Sequence, residues 1–226
     1  GPSNIRQYIL ENDWLDAIIQ LSTDQFMNTG ISTYIWILSK DKPAYRAGKV
    51  QLIDASHCYE QRRKSIGTKR NDITDLCRNL IVEAYGEYKN DAVYGDKNGI
   101  YCHSKIFGSE DFGYNKIVVE RPQRDENGEI ILKKGKPVAD KNLRDTENVP
   151  LVQDIDRYFE REVLPYAPDA WIDKSKTKVG YEIPMTRYFY EYQPPEPVDD
   201  IVKRIKKLES EISESLNALF HKENEL

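Results

Sequence analysis

The sequence predicts an α/β chain that closes with a long amphipathic helix. Three observations predict it. Apolar runs of strand length recur at 15–21, 33–38 and 49–55. A helix between strands, followed by more strands, suggests the end of an α/β sheet. Between positions 198 and 220, apolar residues return at intervals of three and four, the spacing of a coiled-coil seam.

Taken in order, Ile5, Tyr8 and Ile9 have helical spacing, and Glu11-Asn12-Asp13 ends that helix. Leu15-Asp16-Ala17-Ile18-Ile19-Gln20-Leu21 reads as a strand. Asn28-Thr29-Gly30 is a turn signal. Thr33-Tyr34-Ile35-Trp36-Ile37-Leu38 is β-branched, aromatic and almost uniformly apolar. It predicts a strand buried on both faces, with Trp36 in the core. Residues 49–55 form a third strand, and 59–70 read as a polar, basic loop. Ile73, Leu76, Cys77, Leu80, Ile81, Ala84, Tyr85 and Tyr88 then make one helical stripe, with Asp72 or Asp75 as its cap.

Residues 91–150 are rich in Gly, Asp, Asn and Lys. A short strand at 117–121 stops at Pro122. Turns at 125–129 and at Lys134-Gly135-Lys136 predict a β-hairpin. An amphipathic helix is expected at 152–164, stopped by Pro165. The tyrosines of 181–192 alternate in a way that suits a half-buried strand better than a base-stacking platform. Pro194-Pro195-Glu196-Pro197 precedes the last helix, expected at 198–221 with Ser215 in its seam. The organisation reads as three segments, 1–58, 59–150 and 151–226.

The 226 residues fit one large domain, or one domain with an appendage. Charged residues make up 31%, above the usual ~25%, and mean hydropathy is -0.71. An aromatic content of 11% excludes a fully disordered chain, and no apolar run of about 18 residues predicts a membrane span. Net charge is -5, which argues against coating nucleic acid by charge alone and leaves room for a local basic patch. Three cysteines, an odd number, suggest reduced thiols and a cytoplasmic setting. Gly1-Pro2-Ser3-Asn4 resembles a tag-cleavage scar rather than a native start, so a piece of a longer protein is expected.

The chemistry-bearing patterns are few. His57-Cys58, Cys77 and Cys102-His103 lack zinc-ligand spacing, so no metal site is expected. Phosphate-binding glycine loops and a nucleophilic serine elbow are absent. One cluster stands against the acidic average: Arg62, Arg63, Lys64, Lys69 and Arg70. It reads either as a phosphate-contacting patch or as a solvated loop face.

A longer pattern adds to this reading. Asn12-Asp13-Trp14-Leu15-Asp16-Ala17-Ile18-Ile19-Gln20-Leu21, Phe26, Asn28-Thr29-Gly30-Ile31 and Thr33-Tyr34-Ile35-Trp36-Ile37-Leu38-Ser39-Lys40 occur in order. Gly48 to Ser56, Arg63-Lys64-Ser65-Ile66-Gly67-Thr68-Lys69-Arg70-Asn71, Ser104-Lys105-Ile106-Phe107 and Glu110-Asp111-Phe112-Gly113-Tyr114 follow. Val119-Glu120-Arg121-Pro122 and Ile183-Pro184-Met185-Thr186-Arg187-Tyr188-Phe189-Tyr190 complete the series. Together they resemble the modification (M, HsdM) subunit of type I restriction-modification systems, over almost the whole chain.

The resemblance implies a DNA methyltransferase that modifies adenine N6 with S-adenosylmethionine. It implies the last strands of a Rossmann-like methyltransferase sheet, then a mixed α+β region and the terminal amphipathic helix. The family's glycine-rich cofactor loop and its N-P-P-[FY] motif lie upstream of the matching region. No catalytic residue is therefore expected in this chain, and no bound cofactor. Phe26 corresponds to a loop near the flipped adenine, with packing beneath its own loop as the alternative role. Double-stranded DNA, the specificity (S) subunit, the restriction (R) subunit and a second M subunit are the implied partners. Val198, Ile201, Ile205, Leu208, Ile212 and Leu219 would form the partner face of the last helix. Strands 15–21 and 33–38 would lie against strands encoded upstream. Without those an apolar edge stays open, so self-association is expected. The competing expectation is a DNA-interaction or assembly scaffold without catalysis; a restriction–methylation fusion would carry the same segment.

Overall fold

In the computed structural model, helix α1 (Pro2–Glu11) leads into β1 (Leu15–Leu21), β2 (Tyr34–Leu38) and β3 (Lys49–Ala55). Residues 1–192 and 194–223 are described, with side chains through Leu216. A hairpin of β4 (Glu60–Ile66) and β5 (Lys69–Asp72) precedes helix α2 (Asp75–Glu87). Strands β6 (Ala92–Gly95) and β7 (Tyr101–Gly108) follow it. The main sheet has the order β2-β1-β3-β7-β6. Only the β1–β3 pair is parallel; β2, β6 and β7 run antiparallel to their neighbours.

Strand alternation divides the core in two. Ile19, Leu21, Ile53 and Ala55 pack with Cys77 and Ala84 of α2 on one face. Ile18, Val50 and Leu52 pack with Leu10 of α1 on the other. Leu15 joins Ile18 because the β1–β2 register shifts between Leu15 and Ala17. The mixed sheet therefore lies between helices, which makes this part of the chain α/β.

Three expectations change. β2 is an edge strand rather than a buried one: Trp36 is 41% exposed, and Tyr34, Ile35 and Leu38 are exposed with it. Apolar composition marks what a strand can bury, whereas its neighbours decide what it does bury. Residues 59–70 form the β4–β5 hairpin and not a loop. Helix α2 begins after Thr74, at the N-cap position, because Asp72 belongs to β5 and Asp75 lies inside the first turn.

The chain continues as β8 (Gly113–Glu120), β9 (Leu132–Lys133), β10 (Lys136–Pro137), β11 (Asp145–Pro150), α3 (Ile155–Glu162), β12 (Trp171–Ile172), β13 (Lys178–Tyr181) and α4 (Met185–Phe189). β8 pairs antiparallel with β11, β12 and β13. Phe159 of α3 covers Ile117, Val119 and Val149. β9 and β10 are joined through Lys134 and Gly135, both at positive φ, as a type I′ hairpin turn requires. The strand expected over 181–192 ends at Tyr181. α4 then turns Tyr188 onto Phe107, with ring centroids 4.3 Å apart. That packing against the main sheet's β7 outweighs the local alternation.

The chain divides into two units, Gly1–Phe189 and Tyr190–Leu226. The second carries α5 (Val198–Glu223). Val198, Ile205, Leu208 and Ile212 are exposed along it, and Ile201 is half-buried. The side chain of Leu219 lies outside the described residues. Ser215 Oγ donates to the carbonyl of Glu211, one turn back, so its hydroxyl is satisfied by its own helix. No described helix is long and apolar enough to cross a membrane.

Candidate nucleic-acid interface

The basic cluster lies on the β4–β5 hairpin. Ile66 pairs with Lys69 across Gly67-Thr68, and Gly67 takes φ +60. A two-residue turn with glycine first has the twist that joins antiparallel strands. A side chain at Gly67 would find space, its nearest neighbour being Asn28 Oδ1 at 3.7 Å. Glycine is therefore needed for the backbone angle. The register shift between Gln61 and Ile66 adds local twist.

The hairpin is fastened to the β1–β2 loop. The backbone amides of Arg70 and Asn71 donate to the carbonyl of Asp24 at 3.0 and 3.2 Å. Buried Asn71 donates through Nδ2 to the carbonyl of Thr23 at 2.9 Å. At the tip, the Thr29 amide donates to Thr68 Oγ1 at 3.1 Å, and that hydroxyl donates to the carbonyl of Phe26 at 3.4 Å. Phe26 and Thr29 close the loop turn by a β-bridge, with Asn28 at φ +62. The structure thus brings together two features that are about 40 residues apart in sequence.

Phe26 is 52% exposed, so about half of it is open to solvent. Met27 and Ile31 are exposed in the same loop. The five cations divide into two groups. Arg62 Nη1 holds both carboxylate oxygens of Asp72, at 2.8 and 2.6 Å, and Lys69 Nζ lies 3.0 Å from the same carboxylate. These bonds, Lys69 first and then Arg62, hold the Asp72 carboxyl below its usual range. Arg63, Lys64 and Arg70 are exposed and have no ion-pair partner among the described residues. Three free cations on a hairpin fastened to the loop of an exposed aromatic suit a polyanion that also offers flat rings.

Asp72 as an internal counter-ion and Asn71 as the fastener escape a sequence reading. The Gly67-Thr68 turn between pairing residues is the signal that would have revealed the hairpin. The cysteines stand elsewhere: Cys58, Cys77 and Cys102 are buried in the core beside α2. Among the described residues, no group of three His, Cys, Asp or Glu side chains is placed to hold a metal ion.

Known proteins give this geometry a context. Residues 2–111 match the family N-6 DNA Methylase. The type I restriction enzyme MjaIX methylase subunit of Methanocaldococcus jannaschii is 36% identical over 86 residues, 38% of this chain and 15% of that protein. The MjaVIII methylase subunit of the same organism is 33% identical over 86 residues, 38% of this chain and 14% of that protein. A crystal structure of a type I restriction-modification system methyltransferase subunit from Streptococcus thermophilus aligns with a TM-score of 0.38 and 27% identity. That alignment covers 49% of this chain and 20% of the other. The matched segments are a small part of each relative's length.

Proposed function

We propose that this chain, related through residues 2–111 to the N-6 DNA methylases, is the carboxy-terminal part of a modification subunit that methylates adenine N6 in DNA. The observation that carries this reading is the hairpin hydrogen-bonded to the Phe26 loop. Arg63, Lys64 and Arg70 neutralise phosphates, and Arg62 and Lys69 contribute what Asp72 leaves of their charge. Phe26 offers a face to an extruded adenine. Residues 1–58 contribute the end of a Rossmann-like sheet, 59–150 the DNA-facing extension and 151–226 the assembly region. The exposed outer edge of β2 fits a sheet continued by upstream strands, and is the edge through which the isolated chain would self-associate. The setting is the cytoplasm.

The residues present do not fit S-adenosylmethionine. In open α/β sheets, ligands sit at the carboxyl ends of parallel strands, where a close-approach glycine admits them. Here β1 and β3 end in Ser22-Thr23-Asp24 and Ser56-His57-Cys58. Gly30 has no such gap, since a Cβ there would meet Asp24 Oδ1 of its own loop at 3.3 Å. In this reading the cofactor loop and the N-P-P-[FY] motif belong to upstream sequence. Titration calorimetry of this chain with S-adenosylmethionine should give no heat of stoichiometric binding. A longer gene product carrying the upstream motifs should transfer methyl groups to DNA. Stoichiometric binding to the isolated chain would overturn the assignment. A longer product that binds DNA without methylating it would favour the scaffold reading.

The stripe Val198, Ile201, Ile205, Leu208, Ile212 and Leu219 is the proposed contact for the specificity subunit, in an assembly with a restriction subunit and a second modification subunit. Ile205→Asp with Ile212→Asp should reduce recovery of the specificity subunit in a pull-down by at least about tenfold, since each charge would be buried without a partner. Undiminished recovery would remove α5 from that interface.

A further inference from the structure

Ile66 stands at the hairpin tip, one residue before the turn glycine, and is 47% exposed. A β-branched apolar side chain there leaves nearly half of its surface in water. The exposed, unpaired cations Arg63 and Lys64 precede it by three and two residues on its own strand, and Arg70 follows its pairing partner Lys69 on the next. That setting disfavours an apolar protein groove and favours a polyanion with an apolar interior. The hairpin is also fastened: Thr68 and Asn71 bond it to the loop of Phe26, which ties the segments that carry Ile66 and Phe26 together.

We propose that Ile66 is a wedge that enters the DNA base stack while the flanking cations hold the phosphates. The proposal rests on the DNA-binding reading given above. Apolar side chains inserted between base steps partly unstack them, at a cost of a few kcal/mol per step. That cost is lowest where pairing is already weak, so a wedge is recognised by its preference for a weakened duplex. Cations alone give no such preference, because matched and mismatched duplexes carry the same phosphates.

The test uses this chain and two fluorescent duplexes of equal length, one fully matched and one with a single central mismatch. Anisotropy should show the mismatched duplex bound about fivefold more tightly. Ile66→Ala should lower that ratio at least about twofold, leaving only the preference that an extruded base at Phe26 supplies, while matched-duplex affinity stays within about twofold. Ile66→Phe should keep the ratio and Ile66→Ser should lower it likewise. Arg63→Ala should weaken both duplexes alike and leave the ratio intact. Because Ile66 is exposed at a turn, circular dichroism should be unchanged in all of these variants. Equal binding of the two duplexes by the unsubstituted chain, or a ratio that survives Ile66→Ala, would overturn the wedge and leave the DNA-binding reading standing. Failure to bind either duplex would overturn both.

Discussion

Replacing Arg63, Lys64 and Arg70 together by Ala is expected to weaken duplex DNA binding for every sequence and to flatten its salt dependence. Each phosphate contact contributes about 0.9 to the slope of log K against log salt, so losing three should reduce the slope by roughly 2–3. Asp72→Asn should act in the opposite direction. It frees Arg62 and Lys69, which now share one carboxylate, and should steepen the slope by up to about 2. Acidification does the same reversibly. The Asp72 carboxyl is held below its usual range, so its ion pairs persist above the unfolded-state pKa and are lost as pH falls through the lower folded value. DNA affinity should rise more steeply over that acid window in the unsubstituted chain than in Asp72→Asn, where only the other carboxylates titrate. Binding titrations at several salt concentrations and pH values measure all of this. An unchanged slope in the triple variant would show that the hairpin's free cations meet only solvent.

Arg46→Ala should cost about 3–5 kcal/mol of stability, because it leaves the Asp16 carboxylate buried without its partner. Both residues are almost fully buried, with Arg46 Nη1 3.0 Å from Asp16 Oδ2. The guanidinium also donates to the carbonyl of Tyr85 at 2.5 Å and lies 4.1 Å from the Tyr88 ring centroid. Tyr85 Oη donates to the same Asp16 oxygen at 2.5 Å, and burial first, then this bond, raises the phenol's pKa. At about 2–4 °C per kcal/mol for a chain of this size, the thermal midpoint should fall by roughly 6–20 °C. Adding Asp16→Leu to Arg46→Met should recover much of the loss, since removing both charges removes the unpaired one. A midpoint lowered by less than about 3 °C in Arg46→Ala would mean that water and Tyr85 Oη suffice to solvate the Asp16 carboxylate without Arg46.

The α/β class and the first three strands were legible because their apolar periods are strong and local. Sequence alone also set the β9–β10 turn, through Lys134-Gly135, and the basic composition of the hairpin. The turn of that hairpin was legible too, in Gly67-Thr68, had strand pairing been weighed for so polar a segment. β7 was not legible: Tyr101-Cys102-His103-Ser104 alternates weakly within a glycine-rich stretch, and its place beside β3 comes from pairing across about 50 residues.

What the sequence determined by itself is therefore what neighbouring residues settle among themselves: the periods of strands and helices, the turn glycines, and which charges stand close in the chain. Tertiary structure alone decided that β2 is an edge, leaving Trp36 half in solvent. It also decided that Asp72 takes up Arg62 and Lys69 while Arg63, Lys64 and Arg70 stay free. Above all, it decided that the hairpin tip rests on the loop of Phe26, through bonds from Thr68, Arg70 and Asn71. The reason is physical: exposure and charge compensation depend on which groups approach through space, and those contacts join residues that no local period relates.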